Sequence, residues 1–346
     1  MGRENGCRSD VLLLKDPAAA LDERYLREGE ISVRTCSGSR WRFVAAALAS
    51  ALVARPDVIV VGHVNFAPLA FLLRLLVPSS PHVFIVHGTE VWRPLSSVAI
   101  WTLRRARKVL AVSRLTAEQL ASLNDLDAAN LGLLPCALDP QLVESWSAPN
   151  RAREARAPNP TLLTVSRLES VDRYKGVDLV LRALPAVLEQ FHETRYVVVG
   201  DGCDRPYLEA LAREMGVAQA VEFRGRIPPD ELAREFERSW LFLLPSTGEG
   251  FGIVYIEAAW FGAPSLGVRA GGVPEVIEDG VTGVLVQPGD HVGIARGVIS
   301  LLRDPGALEG MGERARERAA RLFGYAAFAA NFQRHIRDAV EPTLEP

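Results

Sequence analysis

Short runs of valine, isoleucine and leucine alternate along the chain with longer stretches whose apolar residues recur every three or four positions. The short runs predict strands at Val11–Leu14, Ile31–Arg34, Val58–Val61, Val83–Val86 and Val109–Val112. A second series follows at Leu162–Val165, Tyr196–Val199, Val221–Phe223, Leu241–Leu244 and Ser265–Val268. Helical periodicity fills the gaps, at Phe43–Ala54, Leu69–Leu76 and Thr116–Leu123, then at Val177–Gln190, Arg205–Met215, Asp230–Glu237, Ile253–Phe261 and Val292–Leu302. Leu308 to Val340 reads as helix, rich in arginine and alanine. The strand runs are almost continuously apolar, as in a parallel sheet covered on both faces. The expected fold class is therefore α/β, with two doubly wound, Rossmann-like domains. A ligand is expected between them, at the carboxyl ends of the strands.

Between the two series lies "SAPNRAREARAPNPT", Ser147 to Thr161, which is basic, holds three prolines and shows no apolar period. It reads as a linker. The expected division is a first domain over 1–150, a second over 151–324, and a C-terminal helix over 325–346 that packs back on the first. The length of 346 residues fits two domains, and 48% apolar with 23% charged residues fits a soluble globular protein with a full core. A net charge of −3 supplies no basic field, which argues against a nucleic-acid partner. Cys7, Cys36, Cys136 and Cys203 lack metal-ligand or redox spacing, so reduced thiols in a cytoplasmic protein are expected. The longest apolar run, Val44–Ala54, is about half of what a bilayer requires. The N-terminal ten residues lack the apolar core of a signal peptide.

The chemistry concentrates in "STGEGFGIVYIEAAWFG", Ser246 to Gly262. Glu257 stands inside an apolar helical run, where an unpartnered charge is costly. A carboxylate can accept two hydroxyl donors, so a sugar diol is one partner; a core arginine or a loop cap is the other. Glu249 falls in the loop after a strand. Gly250 and Gly252 allow close backbone approach, and the N–H groups of Phe251, Gly252 and Ile253 form an anion site at a helix start. Arg167 and Lys175 follow the first strand of the second domain, Lys175 reading as the opening of a helix. A forked donor and a point charge at a strand-to-helix turn suit a diphosphate, the alternative being a solvated basic turn. Gly200-x-Gly202 has Arg205 where a dinucleotide fingerprint needs a third glycine, so it reads as a tight turn. His87 ends a buried strand and can face the cleft or be a core histidine bonded to backbone; for His63 the second reading is preferred. Asp125 and Asp127 have acid-x-acid spacing, but in a polar loop, and no metal site is assigned.

Taken together, these residues resemble the GT-B glycosyltransferases of the large retaining family four. The resemblance is strongest over Pro245–Asp290, clear over Thr164–Phe261, weak over Ile85–Ser113, and loose to about Gly324. It implies that Glu257 holds the nucleotide ribose and Glu249 contacts the donor sugar. Arg167 and Lys175 would hold the diphosphate, His87 would sit by the transferred sugar, and the backbone near Ile227 would meet the base. The implied activity is hexose transfer from a UDP- or GDP-sugar to a glycan or lipid-linked acceptor, in cell-surface polysaccharide or lipopolysaccharide synthesis. No cofactor or metal is implied, because protein cations and helix N-termini neutralise the leaving diphosphate. The alternative is a catalytically weak sugar-nucleotide-binding subunit supporting a partner transferase.

Three departures from the family pattern stand out. Val11–Leu14 runs into "KDPAAALDERYL" without a glycine pair, so the first βα unit is expected to be shortened. The turn from Arg167 to Lys175 is three residues longer than the common form. Cys136 and Ala137 stand where Asn-Gly is frequent. Arg104, Arg105, Arg107 and Lys108, with the nearby run "FAPLAFLLRLLVP", offer peripheral contact with an anionic membrane at the cytoplasmic face; the plainer reading is a solvated helix face.

Overall fold

The structure is a computed structural model that describes residues 8–15, 31–147 and 154–341. All strand pairs in its three sheets are parallel. Among the described residues, strands β1 (Ser9–Leu13) and β2 (Ile31–Thr35) pair only with each other. The stretch that suggested a shortened first unit, Lys15–Leu26, lies almost wholly outside the described residues.

Helix α1 (Arg40–Ala54) is capped by the Ser39 hydroxyl and leads to β3 (Ile59–Val61). Then come α2 (Ala67–Leu76), β4 (His82–Val86), α3 (Ser97–Arg104), β5 (Lys108–Ala111), α4 (Arg114–Asn124) and β6 (Leu131–Leu133). Strands β3-β4-β5-β6 form one sheet in chain order. Its core gathers Phe84, Val86, Leu103, Val109 and Leu120, each almost fully buried. Strand β6 and helix α3 have no counterpart in the sequence expectation: Leu131-Gly132-Leu133 is too short to show a period, and α3 is interrupted by polar residues.

Helix α5 (Pro140–Trp146) precedes the linker in sequence, yet Trp146 packs on Phe261 of the second unit at a centroid distance of 4.9 Å. The second unit runs β7 (Thr161–Val165), α6 (Val177–Gln190), β8 (Arg195–Val199), α7 (Arg205–Glu214), β9 (Val221–Gly225), α8 (Pro229–Arg238), β10 (Leu241–Leu243) and α9 (Ile253–Trp260). It continues with β11 (Ser265–Val268), α10 (Val273–Val276), β12 (Gly283–Val286) and α11 (His291–Leu302). The strand order is β12-β11-β10-β7-β8-β9, so the chain reverses direction across the sheet between β7 and β10. Ligands of open α/β sheets bind outside the strand ends at such a switch point. Both loops singled out in the sequence, after β7 and after β10, open there.

The helical stretch from Leu308 to Val340 is two helices. Helix α12 (Pro305–Phe323) ends at Gly324, whose extended backbone breaks the path, and α13 (Tyr325–Val340) turns away. Phe328, Phe332, Ile336 and Ala339 of α13 cover Val83, Leu110 and Leu134 on the first sheet. Asn331 Nδ2 donates to the Leu133 carbonyl at 2.9 Å, and the His335 ring lies 3.1 Å from the same oxygen.

Candidate active site

The loop after β7 is a 3-10 helix over Ser170–Lys175. Lys175 therefore closes this short helix rather than opening the long one. Gly176 follows with φ 74°, and α6 starts at Val177. Glycine is required at 176 on two counts: the left-handed backbone, and a Cβ that would stand 2.6 Å from the Pro245 carbonyl oxygen. The extra residues are anchored by charge. Arg173 forks onto buried Asp204, with Nε–Oδ2 2.8 Å and Nη2–Oδ1 2.6 Å, and stacks on Tyr207. Arg167 reaches Asp172, also buried, at 3.2 Å, and its side chain is otherwise exposed.

Lys175 and Arg167 were expected to face a diphosphate as a pair. Each has a carboxylate neighbour. Lys175 Nζ lies 2.5 Å from Glu249 Oε1, and both side chains are largely buried. The ion pair joins the loops at the switch point. Tyr174 completes the joint: its carbonyl accepts from Thr247 N–H at 2.9 Å, and its ring covers Gly248, where a Cβ would meet it at 2.7 Å. Sequence reasoning passed over Tyr174, because a tyrosine beside a lysine carries no signal until the loop's path is known.

After Glu249 the chain makes two close approaches. A Cβ on Gly250 would stand 1.9 Å from the His87 carbonyl oxygen, and one on Gly88 would stand 2.6 Å from Gly250 Cα. The donor-side loop thus rests directly on the first unit. Gly272 N–H donates to the Glu249 carbonyl at 2.7 Å, bracing the loop from the far side. Gly252, at φ 98°, turns the chain into α9; Tyr255 N–H donates to the Gly252 carbonyl at 3.1 Å, which leaves the N–H groups of Ile253 and Val254 without an intrahelical acceptor. Phe251 is buried and packs edge-on against Phe323, which holds the helix start in place.

Glu257 lies one turn along α9 from Ile253. Among the described residues it has no ion pair or hydrogen bond, so the core-arginine alternative is not realised. Burial pushes its carboxyl up to about 7. Tyr255, fully buried beside it, donates its hydroxyl to the Leu244 carbonyl and ties α9 to the end of β10.

His87 follows β4 and is exposed; its Nε2 lies 2.7 Å from the Gly62 carbonyl, which makes that nitrogen the donor and leaves Nδ1 as acceptor. Its backbone N–H donates to Glu90 Oε1 at 2.5 Å. His63 accepts from Asn65 N–H at its Nδ1, and its ring centroid is 5.9 Å from that of His87. It is therefore a local cap that borders the cleft, not a core histidine. Ile227, after β9, is half-buried at the edge of the second core. Gly200 and Gly202 are places of close approach: Cβ atoms there would meet the carbonyls of Ser166 at 1.7 Å and Leu168 at 2.3 Å. Asp125 pairs with Arg104 at 2.7 Å, and Asp127 caps a 3-10 turn through Ala129 N–H.

The structure pairs Lys175 with Glu249, rests Gly250 on His87, starts the helix that carries Ile253 and Glu257 directly after that loop, and turns Arg167 toward Asp172. Residues 149–318 match the family described as glycosyl transferases group 1, and residues 3–142 match glycosyltransferase family 4. The chain is 35% identical over 279 residues to a GDP-mannose-dependent alpha-(1-6)-phosphatidylinositol monomannoside mannosyltransferase of Mycolicibacterium smegmatis, covering 75% of this chain and 72% of that one. It is 30% identical to a glycogen synthase of Mycobacterium tuberculosis, over 80% of this chain and 67% of that one. Sucrose-phosphate synthase from Thermosynechococcus elongatus superposes with a TM-score of 0.75 at 22% identity, over 95% of this chain and 88% of the other. The HepE protein of Anabaena, in complex with UDP, gives 0.75 at 20% identity over 95% and 91%. The chain belongs to the group 1 glycosyltransferases, enzymes of the GT-B fold that use nucleotide-sugar donors.

Proposed function

We propose that the chain transfers a hexose, with retention at the anomeric carbon, from GDP-mannose or a related GDP- or UDP-sugar to a lipid-linked or glycan acceptor. The observation that carries this reading is the unpartnered Glu257 carboxyl, on the helix that begins directly after the loop of the Lys175–Glu249 pair. A ribose diol supplies the two hydroxyl donors that Glu257 lacks. Lys175 and the N–H groups at the start of α9 take the diphosphate, and Glu249 exchanges its lysine for the hydroxyls of the donor sugar. His87, with a free Nδ1 acceptor, faces the sugar from the first unit, and the backbone at Ile227 borders the base.

In this reading the bond between the anomeric carbon and the β-phosphate oxygen breaks as the acceptor oxygen bonds to the same face. The acceptor proton passes to the departing phosphate oxygen. Lys175 and the helix start stabilise the charge that develops there, the role a divalent ion plays in other transferases. The mannosyltransferase of Mycolicibacterium smegmatis supports both the choice of GDP-mannose and the lipid-linked acceptor.

The test is a thermal-shift panel of UDP-, GDP- and ADP-sugars, followed by transfer of labelled sugar to extracted lipid acceptors. A ligand at 100 times its Kd stabilises the folded chain by about 2.7 kcal/mol. A shift with GDP-mannose alone supports the reading. No shift with any guanine or uridine sugar overturns it.

A further inference from the structure

Glu275 takes no part in the transfer step proposed above. Glu275 lies on α10, the four-residue helix that follows Gly271-Gly272. Its Oε1 accepts from the backbone N–H of Leu115 at 3.2 Å. Leu115 is the second residue of α4, in the first unit, 160 positions away. That helix has no acidic residue in its own first turn. Ser113 takes the Thr116 N–H at 3.2 Å, and the Leu115 N–H is left for the carboxylate from across the cleft. A carboxylate at a helix N-terminus is favoured by the helix dipole as well as by the hydrogen bond.

Glu275 is held firmly on its own side. Arg318 of α12 donates to the Glu275 carbonyl at 3.1 Å and to the Val276 carbonyl at 3.2 Å, and pairs with Glu278 at 3.2 Å. The preceding glycines tie the same segment to the donor loop, since Gly272 N–H bonds the Glu249 carbonyl and a Cβ on Gly272 would stand 2.4 Å from the Gly250 carbonyl. On the other side, Trp92 Nε1 donates to Thr116 Oγ1 at 3.3 Å, fixing the start of α4 to the loop after His87.

We infer that Glu275 is an interdomain clasp: by capping α4 across the cleft it holds His87 against the Gly250 loop, and it is a positioning residue for transfer. Opening of the cleft strands the Leu115 N–H and leaves the carboxylate to water, so the clasp favours the closed arrangement. The inference stands whichever donor sugar the enzyme uses.

Two variants remove the contact from opposite sides. Glu275→Ala deletes the acceptor. Leu115→Pro deletes the donor at a position in the first helical turn where proline is tolerated. Hydrogen exchange of the full chain should speed up by about tenfold across the first turn of α4 in Glu275→Ala, the loss expected for one charge-assisted bond. The C-terminal half of α4 should be unchanged. Small-angle scattering should show a larger radius of gyration in both variants, with Glu275→Gln, which keeps an acceptor oxygen, close to the parent. Hydrolysis of GDP-mannose or UDP-glucose should lose about tenfold in kcat with KM unchanged. A parent that hydrolyses neither donor counts against the proposed donors, while exchange and scattering still decide the clasp. Parental exchange and radius in both variants would overturn it, as would a uniform rise in exchange over the whole chain.

Discussion

Lys175 and Glu249 form an ion pair across the switch point, 2.5 Å apart and largely shielded from solvent. In the function proposed above, donor binding exchanges this pair for phosphate and sugar contacts. Lys175→Ala removes a charged donor and leaves Glu249 unpaired. Affinity for the nucleoside diphosphate should fall by about 1.5–3 kcal/mol, measured by calorimetry. Glu249→Gln releases Lys175, so diphosphate affinity should hold or rise while sugar transfer drops. Equal losses of diphosphate affinity in both variants would show that the pair acts as a rigid unit.

Glu257 makes a pH prediction with a definite sign. Its carboxyl is raised from 4.5 to about 7, so between these values the folded chain holds a proton that the unfolded chain has released. Stability from this group is full below 4.5, declines as pH rises to 7, and is flat above. The ceiling is about 3 kcal/mol, reduced by the side chain's residual exposure. Buried His82, lowered from 6.5 to about 4 by burial and then by Arg74, works the other way: its contribution is full above 6.5 and lost as pH falls toward 4. Glu257→Gln should therefore melt higher than the parent at pH 8, match it near pH 4.5, and lose nucleotide affinity. Melting curves with and without nucleotide check this. A variant that binds nucleotide as well as the parent would remove Glu257 from the ribose site.

Much of this arrangement was legible in the sequence, for physical reasons. Short Val/Ile/Leu runs bounded by turn residues marked most of the strands, and α6 matches the expected Val177–Gln190 to the residue because its apolar face is clear. Glu257 stood out because charge within an apolar run needs explaining, and Glu249 because it falls among glycines in the loop after a strand. What escaped notice depends on tertiary contact. Lys175 was set at a helix start because spacing cannot show that the residues before it close into a separate 3-10 turn. The pairing of Arg167 with Asp172 could not be read from spacing, because it depends on the loop's path. Strand β12, Gly283–Val286, was not among the expected strands; its opening glycine is needed because a Cβ would stand 2.2 Å from the Ser265 carbonyl oxygen.

Gly250 offers a test that leaves every charged group in place. Its Cα rests on the His87 carbonyl, and a methyl group there has no room. Gly250→Ala must displace the loop or the first unit, at a cost of about 1–3 kcal/mol. Turnover should fall by tenfold or more while nucleoside-diphosphate affinity, which rests on the second unit, stays within about twofold of the parent. Single-turnover kinetics beside calorimetry will separate the two. A parental rate would show that the close contact with His87 is not part of the reacting state.

Among the described residues no helix is long and apolar enough to cross a membrane, yet a lipid-linked acceptor requires approach to one. The basic cluster before β5 is less free than its sequence suggests: Arg104 pairs with Asp125, Arg105 lies over Trp101 at 4.1 Å, and Arg107 donates to the Glu341 carbonyl at 3.0 Å. The apolar part is more open. Leu72, Leu75 and Leu76 of α2 are exposed, as are Trp41, Leu52 and Val53 of neighbouring α1, with Arg40, Arg42 and Arg55 at that helix's two ends. Apolar side chains flanked by cations suit an anionic bilayer surface, where each cation adds about 1 kcal/mol. The chain should pellet with phosphatidylglycerol-containing vesicles at low salt, release as salt rises, and ignore neutral vesicles. Leu75→Glu with Leu76→Glu should abolish pelleting at all salt concentrations, whereas Arg42→Glu with Arg105→Glu should mainly lower the salt at which release occurs. Failure of the parent chain to pellet at low ionic strength would leave these side chains as an ordinary exposed face.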